Sequence, residues 1–256
     1  MLHRKQIYMQ QTDNTRVNWT ALCKLGGVAA LGTVIVGPTE MIITFLPGGN
    51  TTQATVIDWY RLFQTNAFMG LRDLGLLNML LNALAVPIYL ALFVVHRPNR
   101  YQPYAALIMI FAFLGIGIFY ATNRAFPMFA LSRQYAAATT DSQRTIIEAA
   151  GQSMLAVGQS HTSGTFLSFL FAEMAGILIS IVMLKSGIFG KVNAWAGIVG
   201  FGALLVFEYF SSFVLGLSSA ALLLALVGGL CSLVWDILLA RRLFQLGRNP
   251  IEYPKV

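Results

Sequence analysis

The stretch LSFLFAEMAGILIS, residues 167–180, contains a single charged side chain, Glu173, in a run with no other charge between His161 and Lys185. The run is too apolar for a helix on the surface of a soluble protein and too long for an ordinary core strand. About 20 mostly apolar residues are needed to cross a bilayer as a helix. The stretch therefore predicts a transmembrane helix that carries a carboxyl group inside the membrane.

The composition of the whole chain indicates the same class of protein. Of its 256 residues, 57% are hydrophobic and 11% are charged, whereas soluble domains carry roughly 25% charged residues. The net charge of +7 would suggest a nucleic acid partner for a soluble chain, but here it indicates basic cytoplasmic segments. The two cysteines are too few for a disulfide framework. We therefore predict an all-α polytopic membrane protein whose surroundings are the lipid bilayer, with no nucleic acid partner.

Apolar runs of sufficient length occur six times, which predicts a bundle of six transmembrane helices. The first run is longer than the core of a secretory signal peptide, and no cleavage motif of small residues follows it. The last two runs are predicted to form a tight hairpin that turns near Gly216. The predicted spans are 25–46, 74–95, 103–122, 164–184, 193–215 and 217–240.

The distribution of lysine and arginine predicts the orientation of the bundle. With the N-terminus in the cytoplasm, the cytoplasmic segments hold twelve of the 17 basic residues and the outer segments hold five. Because basic residues are enriched in cytoplasmic loops, both termini are predicted to be cytoplasmic. The chain 1–256 is then one membrane domain, with cytoplasmic tails at 1–24 and 241–256 and with outer loops at 47–73 and 123–163.

Both outer loops are long enough to contain helices. The first begins with a turn at 47–50 and continues as a predicted amphipathic helix over 52–70. In the second loop, Thr140 and Gln143 have the spacing of a capping box, which predicts the start of a helix. Apolar residues follow it at helical spacing. This helix is predicted to lie on the membrane surface or to pack on its own bundle.

Four of the ten acidic residues lie in predicted spans, and these are Glu40, Glu173, Glu208 and Asp236. A charged side chain near the centre of a transmembrane helix costs about 2.5–3.5 kcal/mol on insertion scales. Since four such charges facing lipid would cost on the order of 10 kcal/mol, we expect them to face the interior. Small and polar residues share their helix faces, which is typical of helix–helix contacts in membranes. The predicted packing residues are Gly176, Ser180, Gly228 and Ser232.

Three of these acids and one amide are predicted to share a layer in the outer half of the bundle. From the rise of 1.5 Å per residue, Glu40, Glu208 and Glu173 lie roughly 9–13 Å below the outer ends of their spans, and Asn82 lies at a similar depth. Clustered carboxylates in a medium of low dielectric constant cannot all be ionised, so the layer would hold protons or a cation. The alternative is that each acid is a protonated hydrogen-bond donor with a structural role.

Two other ionisable residues are interpreted differently. Asp236 lies near the inner end of its span, where a snorkelling basic side chain is predicted to form a structural ion pair with it. The basic residues within reach are Arg241, Arg242 and Lys185. His161 is predicted to be a solvated histidine of the second outer loop.

Motifs for enzymatic chemistry are missing from the sequence. It has no HExxH motif, no glycine-rich phosphate loop and no zinc-type spacing of cysteine and histidine. None of the three histidines lies inside a predicted span, which argues against a haem held by two intramembrane histidines. We therefore predict a protein that is not an enzyme and that binds neither a cofactor nor a metal.

Several stretches of the sequence, together with the six spans, resemble a known family. They are LSRQYAAATTDSQR at 131–144, SGIFGK at 186–191 and LARRLFQLG at 239–247. In these features the chain resembles a bacterial family of six-span membrane proteins known as a domain of unknown function. The resemblance extends over nearly the whole chain. It implies a location in the bacterial plasma membrane and implies no activity.

Two functions fit these observations. The first is a small transporter or channel-like protein that holds protons or a cation at the outer layer of Glu173, Glu208, Glu40 and Asn82. The alternative is a non-catalytic accessory or scaffold subunit of a larger membrane complex, for which small-residue faces and structured outer loops would be suitable. Self-association into a homo-oligomer is compatible with either function.

Overall fold

The structure is a computed structural model, and its described residues are 2–45, 53–158, 161–214 and 218–248. Within these ranges, the regular structure is helical. Two sequence predictions, the turn at 47–50 and the hairpin turn near Gly216, lie outside the described residues.

The described residues form six long helices and four short ones. Each of the six long helices contains a segment that is long and apolar enough to cross a membrane. This confirms the predicted all-α architecture with six spans. The helices are α1 (Leu2–Phe45), α2 (Val56–Thr65), α3 (Ala67–Asp73), α4 (Leu76–His96), α5 (Gln102–Thr122), α6 (Ala125–Ala137), α7 (Asp141–Ala156), α8 (Phe166–Ser186), α9 (Lys191–Phe213) and α10 (Ser218–Arg248).

The first and last long helices extend beyond their predicted spans. Helix α1 begins at Leu2 and thus includes most of the predicted tail 1–24, and α10 continues to Arg248 within the predicted tail 241–256. Hydropathy locates the apolar part of a helix, whereas the helix itself continues until a breaking residue ends it. No glycine or proline precedes Gly26, so no helix-breaking residue separates the segment that begins at Leu2 from the apolar span.

The six long helices form a closed ring in which each helix packs chiefly against two others. The order around the ring is α1, α4, α5, α8, α9 and α10, and α10 packs against α1. The end of the ring where α4 and α8 begin is called the cap end here, and the end where they finish is called the far end.

Small residues allow α8 and α9 to approach each other closely. A Cβ atom on Gly176 would lie 2.4 Å from the ring of Phe201. One turn further along α8, the Ser180 hydroxyl donates to the carbonyl oxygen of Gly176 at 2.7 Å. The same hydroxyl oxygen occupies the space beside Gly197, where a Cβ atom would lie 2.1 Å from it.

The contact between α9 and α10 also depends on small residues. A Cβ atom on Gly228 would lie 2.6 Å from the side chain of Leu204, and one on Gly200 would lie 2.9 Å from the backbone nitrogen of Ser232. The small residues singled out in the sequence therefore lie where neighbouring helices of the ring touch.

The far half of the bundle is filled with apolar side chains. All six long helices contribute to one cluster of buried residues, in which Leu92, Met183 and Leu239 are fully buried. His96, which the sequence placed just outside a span, is the last residue of α4 and is also fully buried. Its Nδ1 lies 2.7 Å from the carbonyl oxygen of Leu92, so the imidazole is tied to its own helix.

The four short helices α2, α3, α6 and α7 pack on one another at the cap end, and we call them the cap. They have a hydrophobic cluster of their own, separate from that of the far half. The hydroxyl of Tyr60 on α2 donates to the carbonyl oxygen of Ile147 on α7 at 2.8 Å. The residues of this cluster are Val56, Trp59, Tyr60, Phe63, Leu74, Ala125 and Met128.

The cap agrees with the sequence predictions in part. The capping box of Thr140 and Gln143 at the start of α7 is confirmed. The single helix predicted over 52–70 is wrong, because the chain leaves the helical conformation at Asn66. The Asn66 side chain accepts a hydrogen bond from the backbone N–H of Met69 at 3.1 Å and thereby caps a second helix. Helix α6 was not predicted from the sequence, because no cap motif marks its start.

Candidate functional site

Glu208 lies on α9 near the cap end and is the most deeply buried acid of the interior. Its side chain is 1% exposed. Oε1 pairs with Nδ1 of His161, and Oε2 is buried without a hydrogen-bond partner. Buried polar atoms in folded proteins nearly always have a partner, so this oxygen marks an unusual position.

His161 lies in the segment before α8, as predicted, but it also packs on the bundle, which the sequence did not suggest. Its ring packs between Phe169 at 4.5 Å and Phe207 at 5.0 Å, measured between ring centroids, and its side chain is 38% exposed. The prediction was incomplete because it treated the loop as free of the bundle. The chain instead folds back before α8 and brings the imidazole onto the bundle.

The backbone around His161 is suited to this reversal. His161 has a φ of +63°, in the left-handed region that non-glycine residues rarely adopt. Gly158 has a φ of +92°. At Gly164, a Cβ atom would lie 1.7 Å from the carbonyl oxygen of Val157. The backbone at Gly164 can therefore approach the backbone at Val157 only because Gly164 lacks a side chain.

Glu173, the acid of the opening stretch, lies on α8 and faces the interior of the ring. The residue is 9% exposed, and its Oε2 is buried without a hydrogen-bond partner. Its carboxyl group is close enough to that of Glu208 for two negative charges to repel each other. Two acids from adjacent helices thus share one buried region, each with an unsatisfied oxygen.

Glu40 on α1 completes the group of three acids and is half-buried. The side-chain amide of Asn78 donates to its Oε1 at 3.1 Å, and Glu40 also interacts electrostatically with His161. The amide of Asn82 donates instead to the backbone carbonyl of Asn78, at 2.9 Å. The structure therefore brings Asn78, one turn nearer the cap end, to the position beside the acids that the sequence assigned to Asn82.

The cap contributes a charged pair to the same region. Arg72 donates from Nε and from a terminal nitrogen to Oδ1 of Asp73, at 2.8 Å and 2.6 Å. The Asp73 side chain is 1% exposed. Both residues interact electrostatically with Glu40. We refer to Glu40, Asn78, His161, Glu173 and Glu208 as the carboxylate cluster.

Two further ionisable groups lie along the interior beyond the carboxylate cluster. The carboxyl group of Asp236 on α10 is within hydrogen-bonding reach of the Thr33 hydroxyl on α1. Tyr89 on α4 is buried and interacts electrostatically with both Glu173 and Asp236. Tyr89 is therefore within electrostatic range of both the carboxylate cluster and the aspartate.

Asp236 does not have the predicted basic partner. Among the described residues, the ion pairs do not include this aspartate. The guanidinium of Arg242 donates instead to the carbonyl oxygen of Ile188 at 2.8 Å. Residues five and six positions apart on a helix with 3.6 residues per turn point in different directions, so Arg241 and Arg242 do not share the face of Asp236.

The residues that the sequence did not assign to the site share a common feature. Apart from Asn78, which shares a predicted polar helix face with Asn82, each one is brought to the acids by tertiary structure. The only usable signal was the proximity of Asn78 to Asn82, four residues apart on one helix. The unassigned residues are Arg72, Asp73, Asn78, Tyr89 and His161.

Chemically, the carboxylate cluster can bind and release positive charge. It combines three acids with an imidazole and an amide, and these two groups hydrogen-bond to Glu208 and to Glu40. In the part of the chain that the structure describes, no three His, Cys, Asp or Glu side chains are grouped as a metal site.

Comparison of the chain with protein family models, with curated proteins and with solved structures gives no significant match.

Proposed function

We propose that the protein is a small transporter or channel-like protein that binds protons or a cation at the carboxylate cluster. One observation carries the proposal: Glu173 and Glu208 are both buried, repel each other and each have an oxygen without a hydrogen-bond partner. A purely structural acid would be expected to have its oxygens satisfied by neighbouring donors. Carboxyl groups inside a membrane protein otherwise mark ion pathways and proton relays.

The positions of the other ionisable groups support the movement of protons or small cations through the bundle. From the cap end inward, the interior offers His161 with Glu208, then Glu173, then Tyr89 and finally Asp236. These side chains come from the segment before α8 and from four different helices of the ring. A row of exchangeable groups that extends inward from one end is the arrangement that a relay of protons or small cations requires.

The proposal includes a location and an orientation. The six apolar helices imply contact with a lipid bilayer, and the resemblance described above suggests the bacterial plasma membrane. The excess of basic residues near the far end supports cytoplasmic termini. The cap and the carboxylate cluster would then face the outside. In this proposal the protein moves its ligand without catalysing a covalent reaction.

The test is a flux measurement on the purified protein in sealed proteoliposomes. A pH gradient or a gradient of Na⁺ or K⁺ is imposed, and the interior is followed with a pH-sensitive or an ion-sensitive dye. We expect flux in the wild type and its loss in Glu173→Gln and in Glu208→Gln. Glu148→Gln, which changes a half-exposed acid of the cap, serves as the matched control and should retain flux. A wild type without flux under every gradient would refute the proposal.

The alternative function, an accessory subunit of a membrane complex, is favoured by a different observation. The cap exposes large apolar side chains, namely Phe68 at 65%, Phe126 at 50% and Ile146 at 67%. Such side chains on a folded cap can bind a partner protein. If this function is correct, a stoichiometric partner will co-purify from native membranes in mild detergent, and the triple change to serine will release it. A single monodisperse chain would contradict it.

A further inference from the structure

We infer that His161 transfers protons between water at the cap end and the buried carboxyl group of Glu208, and that the ligand of the carboxylate cluster is a proton. The inference rests on the proposed function and narrows its ligand from protons or a cation to protons. It assigns His161 as the residue through which the buried acids exchange protons with water outside the bundle.

The exposure of the paired residues supports this role. Glu208 is enclosed at 1% exposure, whereas the His161 side chain that contacts it is 38% exposed. The Nδ1 atom faces the carboxylate, and Nε2 has no hydrogen bond to another described residue. His161 belongs to the segment between the cap and α8 rather than to a span. One ring therefore joins a buried carboxyl group to the solvent side of the bundle.

The imidazole is chemically suited to pass a proton between these two sides. Histidine is the side chain that gains and loses a proton near neutral pH, and its two nitrogens can accept on one side and donate on the other. Contacts with Phe169 and Phe207 on both sides restrict the ring. The ring is thereby held with one nitrogen toward Glu208.

The transfer can be written with every proton counted. A proton from water binds Nε2 of the neutral imidazole, and the imidazolium then gives its Nδ1 proton to Oε1 of Glu208. The carboxylate becomes a neutral carboxylic acid, and the imidazole is neutral again with its proton on Nε2. To restore the first tautomer, Nδ1 takes one proton from water and Nε2 returns one to water, which adds no net proton, so the net change is one proton moved from water to Glu208.

The surrounding charges act in the direction that this step requires. Glu208 on α9 and Glu40 on α1 interact with the imidazole, and both stabilise its protonated form when they are ionised. Beside Glu40, α3 contributes the pair of Arg72 and Asp73, whose charges offset each other. Once Glu208 has become neutral, the imidazolium loses an attractive partner. On the other side of Glu208, Glu173 on α8 would repel it if both carboxyl groups were charged.

The inference is tested by infrared difference spectroscopy on the full chain in lipid nanodiscs. After a rapid drop in pH, the carbonyl band of protonated carboxylic acids is followed with time, and Glu208→Gln identifies the part that belongs to Glu208. We expect His161→Gln to slow the appearance of this part by about a hundredfold and to leave its final size unchanged. Added free imidazole should restore the rate. Ser163→Ala, an exposed neighbour in the same segment, should behave like the wild type.

Equal rates in the wild type and in folded His161→Gln would overturn the inference. If that variant does not fold, the wild type treated with diethyl pyrocarbonate, which blocks imidazole nitrogens, is measured instead, and an unchanged rate would again overturn it. The outcome is separable from that of the proposed function. Slow protonation in His161→Gln without any flux in the wild type would leave His161 as the proton-transfer residue and refute transport.

Discussion

In the far half of the bundle, the six helices meet through apolar side chains and small residues, and in the cap half the same helices enclose three acids and an imidazole. The far half has a continuous hydrophobic cluster to which every ring helix contributes. The cap half has buried carboxylate oxygens without partners and an additional layer of short helices above them. The difference indicates that stability is concentrated in the far half, whereas the cap half contains buried polar groups whose burial is unfavourable.

The largest expected effect tests whether the far half carries the stability. Gly26→Val places a Cβ atom 2.5 Å from the Cβ of Ala91 and 3.1 Å from the carbonyl oxygen of Pro87, so α1 and α4 must separate. We expect a loss of about 3 kcal/mol in the free energy of unfolding, measured by denaturation in mixed micelles. Gly202→Val, at a position with no atom within 4 Å, should have little effect. Equal losses in the two variants would contradict the comparison.

The next largest effect is expected to be a gain in stability, because the substitution removes an unfavourably buried polar group from the cap half. Glu173→Met replaces a buried oxygen without a partner by an apolar side chain. We expect the free energy of unfolding to rise by about 1 kcal/mol, while flux in proteoliposomes is lost. Glu148→Met on the cap should change stability by no more than about 0.5 kcal/mol. A lower stability in Glu173→Met would indicate that the acid ties helices together.

A third test uses pH to ask whether the cap folds as a stable unit above the site. Burial raises the pKa of Tyr60 from 10.0 to about 12, and the negative charge of Glu148 acts in the same direction. The unfolded chain therefore loses this proton first, so cap stability should fall as the pH rises from 10 to 12. Tyr60→Phe should remove this slope and cost about 1 kcal/mol at neutral pH through the lost hydrogen bond to Ile147.

The measurement is hydrogen exchange of the α2 and α7 amides at several pH values. Tyr104→Phe, which changes an exposed tyrosine outside the cap, should keep the slope. If Tyr60→Phe also keeps it, another group of the cap is responsible.

The smallest expected effect is local to one helix of the cap. Thr140→Ala removes the side-chain oxygen that accepts from the backbone N–H of Gln143 at 3.3 Å. We expect a loss of about 0.5 kcal/mol in the protection of the first turn of α7, seen by hydrogen exchange, and no change in flux. Thr145→Ala, in the second turn of the same helix, should leave the protection of the first turn unchanged. A global loss of stability would mean that the cap supports the bundle more strongly than the comparison implies.

Sequence reasoning predicted the far half of this molecule better than the cap half. Apolar runs and small residues such as Gly176 act locally along one helix, so their periodicity indicates both the span and its packing face. The acids Glu173 and Glu208 were also identified, since a charge in an apolar run is itself a signal. The contact of His161 with Glu208 was missed because it depends on a chain reversal between helices. Asn66 was missed because a break in a helix depends on local cap geometry that hydropathy does not report.

The closed ring has a consequence for how the protein is made. Helix α1 packs on α10, for example where a Cβ atom on Gly27 would lie 3.2 Å from the ring of Phe244, yet these two helices lie at opposite ends of the chain. At translation rates of about 5–20 residues per second, roughly ten to forty seconds separate the synthesis of the two contact surfaces. During that interval one face of α1 lacks its eventual neighbour. The contact between α1 and α10 thus cannot form before α10 has been synthesised, and a chain cut short before α10 would be left with an open ring.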